Sequence, residues 1–312
     1  MFLKHSFQME GGIDRRSVIK TLGLGLGAAC LVPPVAHGAT KRRLKIGQTS
    51  IAWGSTPADA EPGIKDTAKL GYYGYESLGE TLEAWEAKDG LGRILVENKM
   101  LLPSTYFHLR MNVDDPTERK EGVTTVVRWG RILKKYGGSV GVLGPNHVDR
   151  SSYDFNASKA GIVATLNEAG KALSDIGLVA TLHPHTGTCI MTRDEVYAVL
   201  ESVDTRYVKF GPDIGQFAKS GDDPVKIVKD FAPIIQSVHL KDYLGGPHWA
   251  GYCPLGQGKV DIPAVMEVLE TAKDLEFAMV ELDGTPNAPM TPFETAKASK
   301  EYLVKLGYAF RS

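Results

Sequence analysis

One pattern recurs four times in the second half of the chain, in LVATLHPH (178–185), YVKFGPD (207–213), SVHLKD (237–242) and FAMVELD (277–283). Each segment starts with apolar residues and ends with polar ones, which is typical of a buried strand that ends at a functional face. The polar ends supply His183, Asp213, His239 and Glu281, at intervals of 30, 26 and 42 residues. Each interval has room for one strand, loop and helix, so the spacing predicts a (β/α)8 barrel.

The first half of the chain shows the same alternation of strand-like and helix-like segments. Its predicted strands are residues 44–53, 71–76, 101–109 and 139–143, and its predicted helices are 57–70, 80–99, 119–136 and 159–176. With 312 residues, the chain is long enough for one barrel of about 250 residues and a leader. We therefore expect an α/β protein with a single TIM-barrel domain over residues 40–312.

Capping residues mark several helix starts in the second half. Thr192 and Glu195 have the spacing of a capping box, which predicts a helix to about residue 203. Asp223 and Asp261 are each followed by a proline near the first helical position, and Thr291 is followed by Pro292. These signals predict one helix after each of the strand-like segments.

The four strand-end residues also predict a metal site, because barrels of this kind gather active-site residues at the carboxyl ends of different strands. Two imidazoles and two carboxylates could bind Mn²⁺, Co²⁺, Mg²⁺ or Zn²⁺ and leave positions for substrate oxygens. The alternative is that each residue is only a polar group at the end of a buried strand.

Residues 1–39 resemble a twin-arginine signal peptide. Arg15 and Arg16 precede an apolar, glycine-rich run at 21–32, and small residues precede Thr40. This run is too short and too rich in glycine for a stable membrane span. We expect the twin-arginine machinery to export the protein to the periplasm or the medium; the alternative is an amphipathic or disordered tail.

Composition excludes some partners. The net charge is −1, from 36 basic and 37 acidic residues, and the longest basic run is residues 41–43, so nucleic acid is not an expected partner. Three cysteines do not indicate a disulfide framework, although the sequence leaves open whether Cys189 and Cys253 pair. A homo-oligomer is compatible with the sequence.

Several short motifs occur in a specific order over roughly residues 44–307: GYYGYE (71–76), HPHTGT (183–188), DIGQ (213–216), HLKD (239–242), PLGQGKVD (254–261) and VE (280–281). In these motifs the chain resembles the xylose isomerase-like TIM-barrel superfamily of sugar isomerases and epimerases. Within the superfamily it is most similar to the inosose dehydratase type. The resemblance implies that His183, Asp213, His239 and Glu281 bind a divalent metal ion.

Two positions depart from the family pattern. Sugar epimerases of the group usually have Glu at the position of His183. In those enzymes, two metal-bound glutamates move protons on opposite faces of the substrate. This chain has His183 instead, as the dehydratase-like branch does. It also has Gln216 where many relatives have His, so a substrate contact is expected to differ.

The remaining strand-end residues are candidates for proton transfer and substrate binding. Glu281 is the expected base, and His185, Glu76 and Lys241 are further catalytic candidates. Two alternatives remain open: His185 could instead orient a metal ligand, and Lys241 could form a salt bridge with Asp242 at the barrel rim. The expected substrate-binding residues are Trp53, His108, Gln216 and Gln257.

These residues predict an exported, metal-dependent enzyme whose partner is a small carbohydrate. Elimination next to a carbonyl needs one base and an acid for the leaving group, and Glu281 and His185 supply these types. The usual glycine-rich phosphate loop of barrels is not evident, so the predicted substrate is a non-phosphorylated keto-sugar, keto-glycoside or inosose. The alternatives are a sugar isomerase or epimerase of the same superfamily, and a sugar-binding barrel without turnover.

Overall fold

The computed structural model describes residues 42–88, 90–285 and 287–312, so the predicted signal peptide at 1–39 lies outside the described residues. In chain order the strands are β1 (Lys45–Thr49), β2 (Gly74–Leu78), β3 (Ser104–Leu109), β4 (Val140–Pro145), β5 (Val179–Leu182), β6 (Val208–Phe210), β7 (His239–Leu240), β8 (Asp242–Tyr243), β9 (Tyr252–Cys253) and β10 (Phe277–Val280).

Eight of these strands form one parallel sheet in the order β6-β5-β4-β3-β2-β1-β10-β7. Single parallel bridges, from Phe210 of β6 to Ile235 and from Asp213 to His239 of β7, link the segments at the two edges of the sheet and close the ring. The remaining pair, β8 and β9, is an antiparallel hairpin that the sequence did not predict. The predicted TIM barrel is thus confirmed.

The helices cover the outside of the sheet. They are α1 (Pro57–Lys69), α2 (Gly79–Glu86), α3 (Leu91–Glu97), α4 (Pro116–Lys135), α5 (Phe155–Asp175), α6 (Arg193–Leu200), α7 (Ile214–Ser220), α8 (Pro224–Phe231), α9 (Ile262–Leu269) and α10 (Pro292–Lys305). The capping box of Thr192 and Glu195 is confirmed. The single helix predicted at 80–99 was wrong, because α2 ends at Glu86 and α3 begins only after Gly90.

The core lies between the sheet and the helices, where Ile46, Phe107, Leu182 and Phe210 are fully buried. Inside the barrel, a β-carbon on Gly144 would overlap the Tyr106 hydroxyl. The glycine therefore makes room for an aromatic ring in the interior. Cys189 and Cys253 are buried and free, so they do not pair. Within the described part of the chain, no helix has the length and apolar character to cross a membrane.

Candidate active site

His183 comes directly after β5 and is fully buried. Its Nδ1 lies 2.9 Å from the carbonyl oxygen of Gly211. Because a carbonyl oxygen only accepts, Nδ1 carries the proton and Nε2 keeps a free lone pair. Burial, together with the nearby His239, lowers the pKa of His183 well below its ordinary value. His183 is therefore a neutral imidazole with one nitrogen available as a ligand.

Asp213 is the N-cap of α7, and its two carboxylate oxygens have different surroundings. Oδ1 accepts hydrogen bonds from the backbone N–H groups of Gly215 and Gln216, at 2.9 and 3.1 Å. Oδ2 is buried without an aligned hydrogen bond, although Nζ of Lys241 lies 3.0 Å away. The helix start thus fixes the carboxylate and leaves Oδ2 for another group.

His239 in β7 lies between two carboxylates. Its Nε2 is hydrogen-bonded to Oε1 of Glu76 at 2.8 Å, and Oε2 of Glu76 accepts a hydrogen bond from the hydroxyl of Ser104. Its Nδ1 lies 2.8 Å from Oε2 of Glu281 without the alignment of a hydrogen bond. Burial alone would lower the pKa of His239, but Glu281 and Glu76 raise it well above its ordinary value.

These three residues form a candidate metal centre. One ligand atom each from His183, Asp213 and His239 lies within 4.8 Å of the others, and all three side chains are buried. Nδ1 of His239 and Oδ2 of Asp213 are two of the buried atoms left without a hydrogen-bond partner. Such atoms are costly unless an ion or a water satisfies them. The two outer contacts, Gly211 to His183 and Glu76 to His239, are also typical of metal-binding histidines. The residues therefore fit a divalent cation.

Glu281, the predicted fourth ligand, lies beside this triad. Its Oε1 is 2.5 Å from Nζ of Lys241, and its Oε2 faces His239. Burial would raise the pKa of Glu281, but His239 and Lys241 hold it well below its ordinary value. Glu281 is thus an ionised carboxylate at the triad, and its role as a ligand stays a prediction.

Lys241 and Asp242 point to different surroundings, and each contacts groups other than its neighbour. Nζ of Lys241 lies near Asp213, Glu281 and Asp283, and these carboxylates outweigh burial to raise the pKa of Lys241 well above its ordinary value. Asp242 instead accepts hydrogen bonds from backbone N–H groups of the loop that ends at Val260. A salt bridge between the two at the rim is therefore not formed.

A second network surrounds His185. Its Nδ1 donates to the carbonyl of Thr186 at 2.9 Å, and its Nε2 lies 2.7 Å from Nε2 of Gln216. Oε1 of Gln216 accepts from the backbone and hydroxyl of Thr186 and from the hydroxyl of Tyr252. Because that oxygen already receives three donors, the amide NH₂ must face His185, whose Nε2 accepts. His185 is thus held neutral, and burial lowers its pKa.

A cavity of about 320 Å³ opens above these networks. Among the predicted catalytic and metal residues, its lining includes Glu76, His183, His185 and Glu281. His108 lines it as well, with Nδ1 3.0 Å from Oε1 of Glu80. This volume lies in the range of small-molecule sites.

Three predicted substrate-binding residues, Trp53, Gln216 and Gln257, are not part of the cavity lining. The indole N–H of Trp53 donates to Asp66 on α1 at 3.0 Å, so the ring packs toward that helix. Gln257 lies exposed in the turn after Pro254.

Sequence reasoning missed Ser104, Tyr252 and Asp283 as members of the site. Ser104 and Glu76 belong to adjacent strands, but a serine inside a strand gives no functional signal. Asp283 was detectable, because it follows Glu281 by two residues and successive residues of a strand alternate between faces. The same alternation applies to His239 in β7 and Lys241, which directly follows that strand.

The parallel strands and the buried histidines and carboxylate at the carboxyl ends of those strands define a TIM-barrel protein with a candidate metal centre. The comparisons with known proteins define its family. The family model described as xylose isomerase-like TIM barrel matches residues 64–306. The chain belongs to this family. It is also 28% identical to an inosose dehydratase of Clostridium beijerinckii over 167 residues, which is 48% of this chain and 56% of that protein. The chain thus spans about half the length of the relatives it matches.

Solved structures support the fold alone. A 3-keto-D-glucoside 4-epimerase from E. coli superposes with a TM-score of 0.64 at 17% identity, over 85% of this chain and 99% of that one. A D-allulose 3-epimerase from Methylomonas sp., solved with D-allulose, gives a TM-score of 0.66 at 18% identity, over 86% and 98% of the two chains.

Proposed function

We propose that this protein is an exported, divalent-metal-dependent carbohydrate enzyme that acts next to a carbonyl group. The proposed reaction is β-elimination, either dehydration or release of an aglycone, from a non-phosphorylated keto-sugar, keto-glycoside or inosose. The observation that carries the proposal is the buried triad beside a cavity, in which two ligand atoms, His239 Nδ1 and Asp213 Oδ2, form no aligned hydrogen bond. When bound there, a divalent cation would polarise a substrate carbonyl.

Glu281 is the proposed base. It is ionised, lines the cavity and lies next to the triad, so it can reach a C–H group adjacent to a carbonyl held there. Its contacts with Lys241 and His239 hold the carboxylate in one orientation. A fixed base removes the same proton in each turnover.

His185 is the proposed acid for the leaving oxygen. The ring lines the same cavity, but its Nε2 accepts a hydrogen bond from Gln216 in this structure. Gln216 must therefore turn away before Nε2 can hold a proton and donate it. His108, at the exposed side of the cavity, is proposed to bind substrate hydroxyl groups.

Sequence similarity to an inosose dehydratase supports elimination. The second candidate is epimerisation, because both solved relatives described above are epimerases with this fold. The two reactions share proton removal next to a carbonyl and differ in whether a leaving group departs.

Product analysis in D₂O distinguishes them. The purified protein with Mn²⁺ is incubated with keto-sugars, 3-keto-glycosides and inososes, and the products are followed by NMR. We expect an unsaturated product and loss of water or aglycone, with no reaction in the Glu281→Gln variant. Stereoinversion with deuterium incorporation and no unsaturated product would establish epimerisation instead.

A further inference from the structure

Lys241 places an ammonium group among the carboxylates of the candidate metal centre. Its side chain is fully buried, with Nζ 2.5 Å from Oε1 of Glu281 and 3.0 Å from Oδ2 of Asp213. A lysine is almost never fully buried unless it is paired. The ammonium therefore has a defined place at the centre of the site.

The ammonium and a divalent cation require the same oxygen. Oδ1 of Asp213 is already held by the N–H groups of Gly215 and Gln216, so only Oδ2 is available to a cation. Nζ of Lys241 lies 3.0 Å from that same Oδ2. Two positive charges cannot share one buried oxygen at these distances without strong repulsion.

Asp283 provides a second place for the ammonium. Its Oδ2 lies 3.2 Å from Nζ of Lys241, and its side chain is 25% exposed at the cavity wall. Asp283 is not a member of the triad of potential ligands. A small movement of Nζ away from Asp213 would therefore keep two carboxylate partners, Glu281 and Asp283.

From this geometry we infer that Lys241 is a built-in competitor of the metal ion and sets the affinity of the site. When a divalent cation binds, the ammonium leaves Asp213 Oδ2 and keeps its contacts with Glu281 and Asp283. The inference rests on the proposed metal dependence. It also gives Asp283 a role as a positioning residue that draws Lys241 away from the ligand oxygen.

The direct test measures Mn²⁺ affinity by isothermal titration calorimetry on the full-length chain. We expect Lys241→Met to bind Mn²⁺ at least about ten-fold more tightly, because a neighbouring positive charge is removed. The matched control is Lys219→Met. Lys219 and Lys241 both approach the Tyr252 ring, with Nζ at 4.8 and 4.7 Å from its centre, but Lys219 forms no ion pair among the described residues. Because Lys219 contacts none of the ligand carboxylates, the control should change Mn²⁺ affinity far less than Lys241→Met does.

Asp283→Asn tests the same inference with the opposite sign, and serves if Lys241→Met does not fold. Without the Asp283 carboxylate, the ammonium is attracted less strongly away from Asp213, so Mn²⁺ binding should weaken by roughly three-fold or more. In the Lys241→Met background the same change should have a clearly smaller effect, which separates the lysine from the plain loss of a negative charge.

The outcomes separate this inference from the proposed function. Equal or weaker Mn²⁺ binding by Lys241→Met, or an unchanged affinity in Asp283→Asn, would overturn the inference while leaving the metal site in place. Absence of Mn²⁺ binding by the wild type and by all variants would overturn the proposed metal dependence itself.

Discussion

Replacement of Glu76 by glutamine tests whether this residue positions a metal ligand or transfers protons. Glu76 is 2% exposed, and its Oε1 lies 2.8 Å from Nε2 of His239. Its other oxygen accepts a hydrogen bond from Ser104, so the carboxylate is held on both sides. Glutamine keeps the size of the side chain and removes its charge. His239 would then lose the charged acceptor that fixes its ring and tautomer.

The size of the effect follows from this contact. A hydrogen bond to a charged partner contributes about 1.5–3 kcal/mol. Loss of an outer partner of a metal-binding histidine typically costs about 10–100-fold in metal affinity. The two estimates agree, since a factor of ten corresponds to about 1.4 kcal/mol. We therefore expect Glu76→Gln to weaken Mn²⁺ binding by about 10–100-fold.

The assay is a calorimetric Mn²⁺ titration, with circular dichroism as a check on folding. Glu80→Gln is the matched control, because Glu80 also contacts a histidine, His108, at 3.0 Å, but this pair is about half-exposed and outside the triad. Its Mn²⁺ affinity should equal that of the wild type. If Glu76→Gln kept wild-type Mn²⁺ affinity and lost turnover, the positioning role would be refuted and Glu76 would be a proton-transfer group.

Asp242→Asn should lower the free energy of unfolding by about 3–5 kcal/mol, because its buried carboxylate accepts hydrogen bonds from four backbone N–H groups at 2.8–3.1 Å. The control is Asp261→Asn, which affects one exposed helix cap and should lower the free energy of unfolding by about 1 kcal/mol or less in urea. Equal losses of unfolding free energy in the two variants would contradict this reasoning. In the metal-free protein, the raised pKa of His239 gives a stabilising contribution that is complete below the ordinary value of 6.5 and is lost as the pH rises through the folded value. The difference in unfolding free energy between wild type and His239→Gln should therefore narrow at alkaline pH, and a widening difference would be inconsistent with it. His239→Ala and Glu281→Gln should each greatly reduce metal content while the barrel stays folded, because both residues lie at the carboxyl ends of strands; wild-type metal content in both would count against the assignment. Replacing Arg15 and Arg16 by lysine should stop export in a twin-arginine-competent host without changing the activity of the cytoplasmic protein, as cell fractionation would show, and normal export would remove that proposal.

The barrel and the triad could be predicted because each depends on local sequence. A buried parallel strand is apolar along its length, so the first polar residue after it marks the carboxyl end, as His183 and Asp213 do. Capping residues such as Thr192 marked helix starts for the same local reason. These signals do not require knowledge of which residues meet in space.

Contacts between distant strands could not be predicted in this way. The contact of His239 with Glu76 joins residues 163 positions apart, and nothing in either segment indicates the other. The hairpin of β8 and β9 was missed because its strands have only two residues each, although Gly245 and Gly246 between them are a turn signal. Helix α7 was missed because Asp213 was interpreted only as a ligand, whereas it also caps the helix.

The contact between β6 and β7, which consists of two single bridges, has a consequence for closure of the barrel. Strands β1 to β6 are neighbours in chain order, and His183 and Asp213 follow β5 and β6. His239 belongs to β7, at the opposite edge of the sheet. The bridge between Asp213 and His239 is one of the contacts that close the barrel. A ring that is open between β6 and β7 therefore keeps His239 apart from His183 and Asp213. A cation that binds only the native protein stabilises it in proportion to the logarithm of the free ion concentration. Under the proposed metal dependence, ion binding would thus stabilise only chains in which β6 and β7 have come together, since only these could retain the ion.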